Sequence, residues 1–349
     1  MSVAASIPLL NTTWYVLIMI LLAGYVVLDG FDLGVGSLHL FARGDRNRRL
    51  MLNTIGPVWD GNEVWLVTAG GALFAAFPEM YATAFSGFYL AFMLLLFALI
   101  FRAVAIEFRS KRPSGLWRGT WDVLFSASSL LGAFLIGVAL GNFAWGLPLA
   151  SINGKLEFVG SFWDILNPYS LLVGITGVAL FLMHGALYVV VKTEEDLQER
   201  ARGWAQNATI LFVICYVMTT MATLLYVERM TLVFKERPYL FVIPLSNLLA
   251  IANIPRTLYY KKDLEGFLSS TAAIILLMAL FGVGTYPYLI YSPVSPETNS
   301  LTVVNAASSQ LTLWIMTIIA AIGIPLVAAY TFSVHWVFRG KVRLEATSY

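Results

Sequence analysis

Hydrophobic positions in this chain run in long blocks separated by short polar connections. Nine blocks lie close to or above the ~20 apolar residues a helix needs to cross a bilayer. They cover 14–40, 59–77, 82–106, 123–143, 168–191, 205–227, 239–259, 267–290 and 311–338. The second is the shortest. No linker, low-complexity tract or extramembrane domain interrupts them, so the pattern predicts an all-α polytopic membrane protein of about nine transmembrane helices. Residues 1–349 read as one integral membrane domain.

Composition strengthens this picture. Of 349 residues, 59% are hydrophobic and 12% charged, and the mean hydropathy is +0.77; soluble domains carry about 25% charged residues. The net charge of +2 is spread over several loops, which gives no basis for nucleic-acid binding. A single cysteine, Cys215, excludes an intrachain disulfide and any multi-thiolate metal site. Met1 to Leu28 carries no charged residue, and a signal peptide needs a basic start, so the first block is expected to be a retained helix.

Basic residues set the orientation. With the N-terminus outside and the C-terminus in the cytoplasm, inner segments hold seventeen of the 22 Lys and Arg residues, from the Arg43–Arg49 turn to Arg343. Outer loops hold Lys155, Arg229, Lys235 and Arg237, and Arg102 lies within the third span. The positive-inside rule therefore supports an odd number of spans in this direction.

Polar residues can then be given depth. Asp29 and Asp32 stand three apart on one face of the first span. Asp60 and Glu63 do the same at the inner start of the second, between Trp59 and Trp65. Arg102 and Glu107 close the third span, and Asp122 opens the fourth. These seven ionisable groups from four consecutive spans gather in the inner half; charge within a span is costly and marks a pathway or a buried pair. Asp29 precedes Arg43 by ~21 Å of helix at 1.5 Å per residue, deep enough to lie within hydrocarbon. Glu107 and Asp122 read as ordinary caps in the headgroup region.

Small residues mark packing faces. Gly30, Gly34 and Gly36 thin the first span, Gly70–Gly71 would let another backbone approach, and Gly137-x-x-x-Gly141 lies on the fourth span. A faint echo of residues 1–145 in 165–290 suggests a parallel repeat of two four-helix bundles, with a peripheral helix at 311–338. His39 and His335 lie near inner helix ends and His184 deeper, with no His-x-x-x-His pair. No metal-ligand cluster, phosphate loop or serine nucleophile motif occurs.

Several segments together resemble subunit II of the cytochrome bd quinol oxidases. They are D-G-F-D-L-G-V-G, the run P-V-W-D-G-N-E-V-W-L-V-T-A-G-G-A-L-F-A-A-F-P, then F-S-G-F-Y, F-R-A-V-A-I-E-F-R-S-K and W-D-V. G-V-A-L-G-N, L-N-P-Y-S-L-L-V-G and S-S-Q-L-T-L follow in order. The resemblance spans nearly the whole chain and is densest in the first 145 residues. It implies a heterodimer in the bacterial inner membrane, N-terminus outside, that takes electrons from quinol and reduces oxygen to water with cytoplasmic protons. Haem b, haem d and the quinol site are expected in subunit I, and no haem or metal in this chain. A structural quinone and small accessory subunits are left open.

In that family, the matches of Asp60 and Glu107 belong to a hydrophilic path toward the haems, with those of Asp29, Asp32 and Arg102 nearby; Glu63 joins them here by its place one turn beyond Asp60. The match of Trp65 lies near an oxygen route of some members. Val58 stands where some relatives carry histidine. Two other readings remain open: a secondary transporter with intramembrane carboxylates, and a purely structural assembly subunit.

Overall fold

The computed structural model describes residues 7–344; residues 1–6 and 345–349, part of the expected single domain, lie outside them. Fourteen helices follow in order: α1 Leu9–Leu38, α2 Asp45–Ile55, α3 Trp59–Ala76, α4 Pro78–Gly87, α5 Tyr89–Phe108, α6 Gly115–Trp145 and α7 Phe162–Ile165, then α8 Pro168–Lys192, α9 Glu195–Tyr226, α10 Arg229–Glu236, α11 Val242–Tyr259, α12 Asp263–Thr285, α13 Pro296–Asn299 and α14 Gln310–Val337. Two antiparallel strand pairs complete the described residues, β1 Leu149–Ile152 with β2 Lys155–Phe158, and β3 Tyr288–Ile290 with β4 Leu301–Thr302.

Eight helices, α1, α5, α6, α8, α9, α11, α12 and α14, are long and apolar enough to cross a membrane. The ninth expected span is α3, 18 residues whose first turns carry Asp60, Asn62 and Glu63. Its composition falls short of the other eight, and its place beside α1 makes it part of the bundle. Helices α1, α3, α5 and α6 pack together, as do α8, α9, α11 and α12, and the two groups meet where α8 lies against α1 and α6. The most apolar stretch of α8 is 67% buried and that of α14 only 6%, so α8 is the central post and α14 a peripheral helix touching α1 and α3.

Where helix ends differ from the sequence expectation, a local cause is visible. The block 82–106 is two helices, α4 and α5, parted at Phe88; at Gly87 an added Cβ would come within 2.9 Å of Phe158 on the β1–β2 hairpin. The block 267–290 stops as helix at Thr285, because Pro287 cannot continue the ladder and 288–290 pair as β3. α6 begins at Gly115, capped by Ser114, which moves Asp122 two turns into the helix instead of to its start. α9 begins ten residues before its apolar block, since the polar stretch from Glu195 is helical as well.

The close crossing of α1 and α8 depends on absent side chains. A Cβ on Gly185 would lie 2.5 Å from the carbonyl carbon of Gly34, and one on Gly34 would lie 2.9 Å from the Gly185 Cα. On α6, Gly137 and Gly141 meet Gly174 and Ser170 of α8 as closely, with added Cβ atoms 2.8 and 2.7 Å from their Cα atoms. This small-residue packing lets dispersion act between backbones where lipid offers no hydrophobic driving force. A Cβ added at Gly70 or Gly71 would meet nothing within 4 Å beyond its own helix, so no other backbone of the described residues approaches there.

The two ends of the bundle are closed differently. At the end holding the strands, Trp14, Phe77, Leu149, Ile290 and Leu313 form one apolar cluster. Hydrogen bonds tie the connections over it: Asn11 Nδ2 to Val303 O at 2.6 Å, Leu147 N to Tyr291 O at 2.8 Å and Ser308 N to Ala76 O at 2.9 Å. The opposite end is closed by ion pairs.

Gly185→Ala is expected to destabilise the protein by about 1–3 kcal/mol through overpacking, and Gly34→Leu to lower the yield of assembled protein. Gly203→Ala, with nothing within 4 Å, should be neutral or stabilising by up to ~1 kcal/mol. Thermal unfolding of the detergent-solubilised protein checks the contrast; equal midpoints for the Gly185 and Gly203 variants would refute backbone contact at the crossing.

Candidate functional site: buried charge between α1, α3 and α5

Three helices each bring a charge to one buried point. α1 carries Asp29 and, three residues on, Asp32; α3 carries Glu63 in its second turn; α5 carries Arg102 two turns before its end. The Arg102 guanidinium is fully buried, donates through Nη1 to Asp29 Oδ1 at 2.6 Å, and pairs through Nη2 with Glu63 Oε1. Asp32, also fully buried, accepts from Asn62 Nδ2 at 2.8 Å, and that amide also reaches Leu28 O at 3.3 Å. The planar guanidinium suits two carboxylates at once, one from each neighbouring helix.

Among the described residues, Tyr25 Oη, Asp29 Oδ2, Asp32 Oδ1, Arg102 Nε and Trp65 Nε1 are buried without a hydrogen-bond partner. Trp65 packs over Gly24 on α1, where an added Cβ would lie 3.1 Å from its Cδ2. Tyr25 and Trp65 thus stand on the same helices as the ion pairs.

The sequence-predicted residues do not all join this set. Asp29, Glu63 and Arg102 form it, and Asp32 adjoins through Asn62. Asp60, the second residue of α3, is exposed at the helix start, where a carboxylate suits the positive end of the helix dipole. Glu107 is half-buried in the last turn of α5.

Asp122 departs from its expected role as a headgroup cap. It is 1% exposed and accepts from His39 Nε2 at 2.6 Å, Arg48 Nη1 at 2.8 Å and Arg109 Nε at 2.5 Å. Arg109 Nη2 continues to Asp45 at 2.9 Å, and Arg118 Nη1 reaches the other oxygen of Asp45 at 3.0 Å. This second network joins the end of α1, α2, the end of α5 and the start of α6. His39 is accordingly a buried partner of a carboxylate, not a snorkelling or capping residue. Asn62, His39 and Tyr25 were not singled out as site residues in the sequence: a lone amide, imidazole or phenol carries no spacing signal, and only the fold shows what it faces.

A haem would need a free axial nitrogen in a slot between helices. His184, the deepest histidine, spends both ring nitrogens, Nδ1 with Ser270 Oγ at 2.7 Å and Nε2 with Val27 O at 3.1 Å, and its ring stacks on Phe267. Among the described residues, no group of three or more His, Cys, Asp or Glu side chains is arranged to hold a metal ion.

The fold and this site define a polytopic helical membrane subunit whose internal charges gather at one end. The family described as "Cytochrome bd terminal oxidase subunit II" matches residues 10–338. The chain is 35% identical over 365 aligned positions to "Cytochrome bd-I ubiquinol oxidase subunit 2" of Escherichia coli, covering 96% of each. It is 35% identical over 336 positions to "Cytochrome bd ubiquinol oxidase subunit 2" of Bacillus subtilis, covering 95% of this chain and 97% of that one. A chain of the bd oxidase structure from Geobacillus thermodenitrificans superposes with a TM-score of 0.76 over 94% of this chain and 98% of that chain; at 16% identity it speaks for the fold. This chain belongs to the cytochrome bd terminal oxidase subunit II family, and so to a multi-subunit oxidoreductase of the bacterial inner membrane.

Arg102→Met would leave Asp29 and Glu63 buried without their cation, a loss of about 3–5 kcal/mol. Arg102→Lys should recover part of it, since a point charge replaces the fork. Thermal unfolding and yield of the purified complex measure both; an Arg102→Met complex as stable as the wild type would show that the pairs contribute nothing.

Proposed function

We propose that this chain is the haem-free subunit II of a quinol:oxygen oxidoreductase, supports a haem-bearing subunit I, and lines a path for protons from the cytoplasm. The single observation that carries the proton role is the fully buried Arg102 shared by carboxylates from two other helices, with the exposed Asp60 at the start of one of them. Asp29 and Glu63 pair with the guanidinium, and Asp32, held by Asn62, adds a third carboxyl group beside them. Burying a charge is costly and burying a balanced set less so, so taking up or releasing a proton is an accessible change there. The orphaned oxygens of Asp29 and Asp32 and the hydroxyl of Tyr25 offer further donors and acceptors along α1.

Asp60 is the entry: it sits on the end of the bundle rich in Arg and Lys, which the positive-inside rule assigns to the cytoplasm. Glu107, at the same end of α5, shares protons with it. This orientation puts the N-terminus outside and the strand-bearing end at the outer surface. Quinol oxidation and oxygen reduction take place at haem b and haem d in subunit I; of the three histidines here, His184 has both nitrogens committed within this chain, while His39 Nδ1 and His335 Nε2 are buried without a partner. Trp65, between α3 and α1, borders an apolar route for oxygen. A purely structural subunit is the competing reading, favoured by the completeness of the Arg102 pairs.

Oxygen consumption by the purified complex at saturating quinol separates the two. Asp60→Asn should slow turnover by about tenfold or more, ~1.4 kcal/mol in the barrier, with the haem spectrum intact, while Asp60→Glu keeps much of the rate. Normal turnover in a haem-replete Asp60→Asn complex would exclude an essential relay through this residue. His184→Gln, which can keep the bond to Ser270, is expected to leave the haem content of the complex unchanged by haemochromogen assay; loss of one haem would place a ligand in this chain.

A further inference from the structure

The second charge network borders a cleft of about 320 Å³, lined by Asp45, Arg48, Arg109, Arg118 and Asp122, with Gly44 before α2, Pro113 of the α5–α6 connection and Gly115 and Gly119 of α6. Three guanidinium groups face two carboxylates there, leaving one positive charge over. Asp122 is saturated, since its two oxygens accept from His39, Arg48 and Arg109. Asp45 takes one donor from Arg109 and one from Arg118. Among the buried atoms left without a hydrogen-bond partner in the described residues are two guanidinium donors, Arg109 Nη1, on a side chain only 2% exposed, and Arg118 Nε, beside His39 Nδ1 and Ser110 Oγ. Buried guanidinium donors without acceptors are costly, and an oxyanion is the group they match in charge and shape.

The surroundings specify the kind of anion. Phe108 and Leu116, next in sequence to the lining residues Arg109 and Gly115, are 47% and 83% exposed. Trp117 ties that corner together: its Nε1 donates to Phe108 O at 2.8 Å and Arg112 lies 4.9 Å over its ring. Farther along α5 and α6, Phe101, Phe97 and Val123 are exposed as well. An anion here therefore sits where polar headgroup gives way to acyl chain, next to an aromatic residue of the kind that marks the interface. Basic pockets between span ends recognise anionic headgroups by this combination.

We propose that this cleft binds the phosphate of an anionic phospholipid, with Arg109 and Arg118 as its donors and the acyl chains lying along α5 and α6. Its placement in the cytoplasmic leaflet rests on the orientation proposed above. The binding itself does not, and neither does it depend on proton transfer through Asp60.

The test uses the purified complex in phosphatidylcholine nanodiscs with a rising fraction of phosphatidylglycerol, reading the thermal unfolding midpoint. The wild-type midpoint should rise and saturate. Arg118→Gln should need about fivefold more phosphatidylglycerol for half the rise, the worth of one basic residue at an anionic surface. Arg200→Gln, a half-buried arginine on α9 paired with Asp196 and away from the cleft, should leave the curve in place. Equal shifts for both variants, or no shift for Arg118→Gln, would overturn the site. If inorganic phosphate in pure phosphatidylcholine discs reproduces the rise in the wild type and not in Arg118→Gln, the anion site stands and the lipid as its occupant is overturned. Turnover of Asp60→Asn is measured separately, so failure of the proton path and failure of this site give different results.

Discussion

A cation buried between helices has to be met by carboxylates on those helices, and much of this structure follows from that constraint. Arg102 on α5 cannot be left unpaired at its depth. Asp29 on α1 and Glu63 on α3 are the groups that reach it, so the three helices are held at one relative height. α3 is the least apolar of the nine and gains a defined place through this contact and through Asn62, which bridges to Asp32 and to the α1 backbone. In the function proposed above, the same pairs that fix packing are the groups that exchange a proton, so that proposal makes stability and transport properties of one cluster.

The rest of the bundle is held by different means. α1 crosses α8 with glycine against glycine, and α6 meets α8 through Gly137 and Gly141. Such contacts depend on backbone proximity and tolerate no added carbon. At the strand-bearing end, main-chain hydrogen bonds and a Trp14–Phe77–Leu313 cluster close the structure. Charge is concentrated at the other end in three networks, centred on Arg102, on Asp122 and, between α9 and α12, on Arg202 with Glu199 and Asp263. The network around Arg102 lies among helices that form the interior; that around Asp122 opens to the surface through the partly exposed Asp45, Arg48 and Arg118.

Similarity to the Escherichia coli and Bacillus subtilis subunits over almost the full length assigns the family. The lower identity of the Geobacillus thermodenitrificans chain, with the fold retained, fits a scaffold specified mainly by apolar pattern and small-residue contacts. The apolar pattern survives exchange of one apolar side chain for another of similar volume, whereas the glycine contacts do not.

What the sequence by itself determined was the class of fold, the approximate number and the order of the long apolar helices, and which end collects the charge. Block length against bilayer thickness and the bias of Lys and Arg are one-dimensional properties, readable without contacts. The acids three apart, Asp29 with Asp32 and Asp60 with Glu63, were legible as helix faces for the same reason. Which of them meet was decided only by tertiary structure: Glu63 turns to Arg102 while Asp60 stays at the surface, and Asp122 is drawn inward by His39 and Arg109 from residues 83 and 13 positions away. The strands and the break at Phe88 were hidden too, because short paired segments lack a periodic signal and depend on a partner far along the chain. Pairing energies of buried charges depend on distance in space, and no spacing along the chain encodes that distance across separate helices.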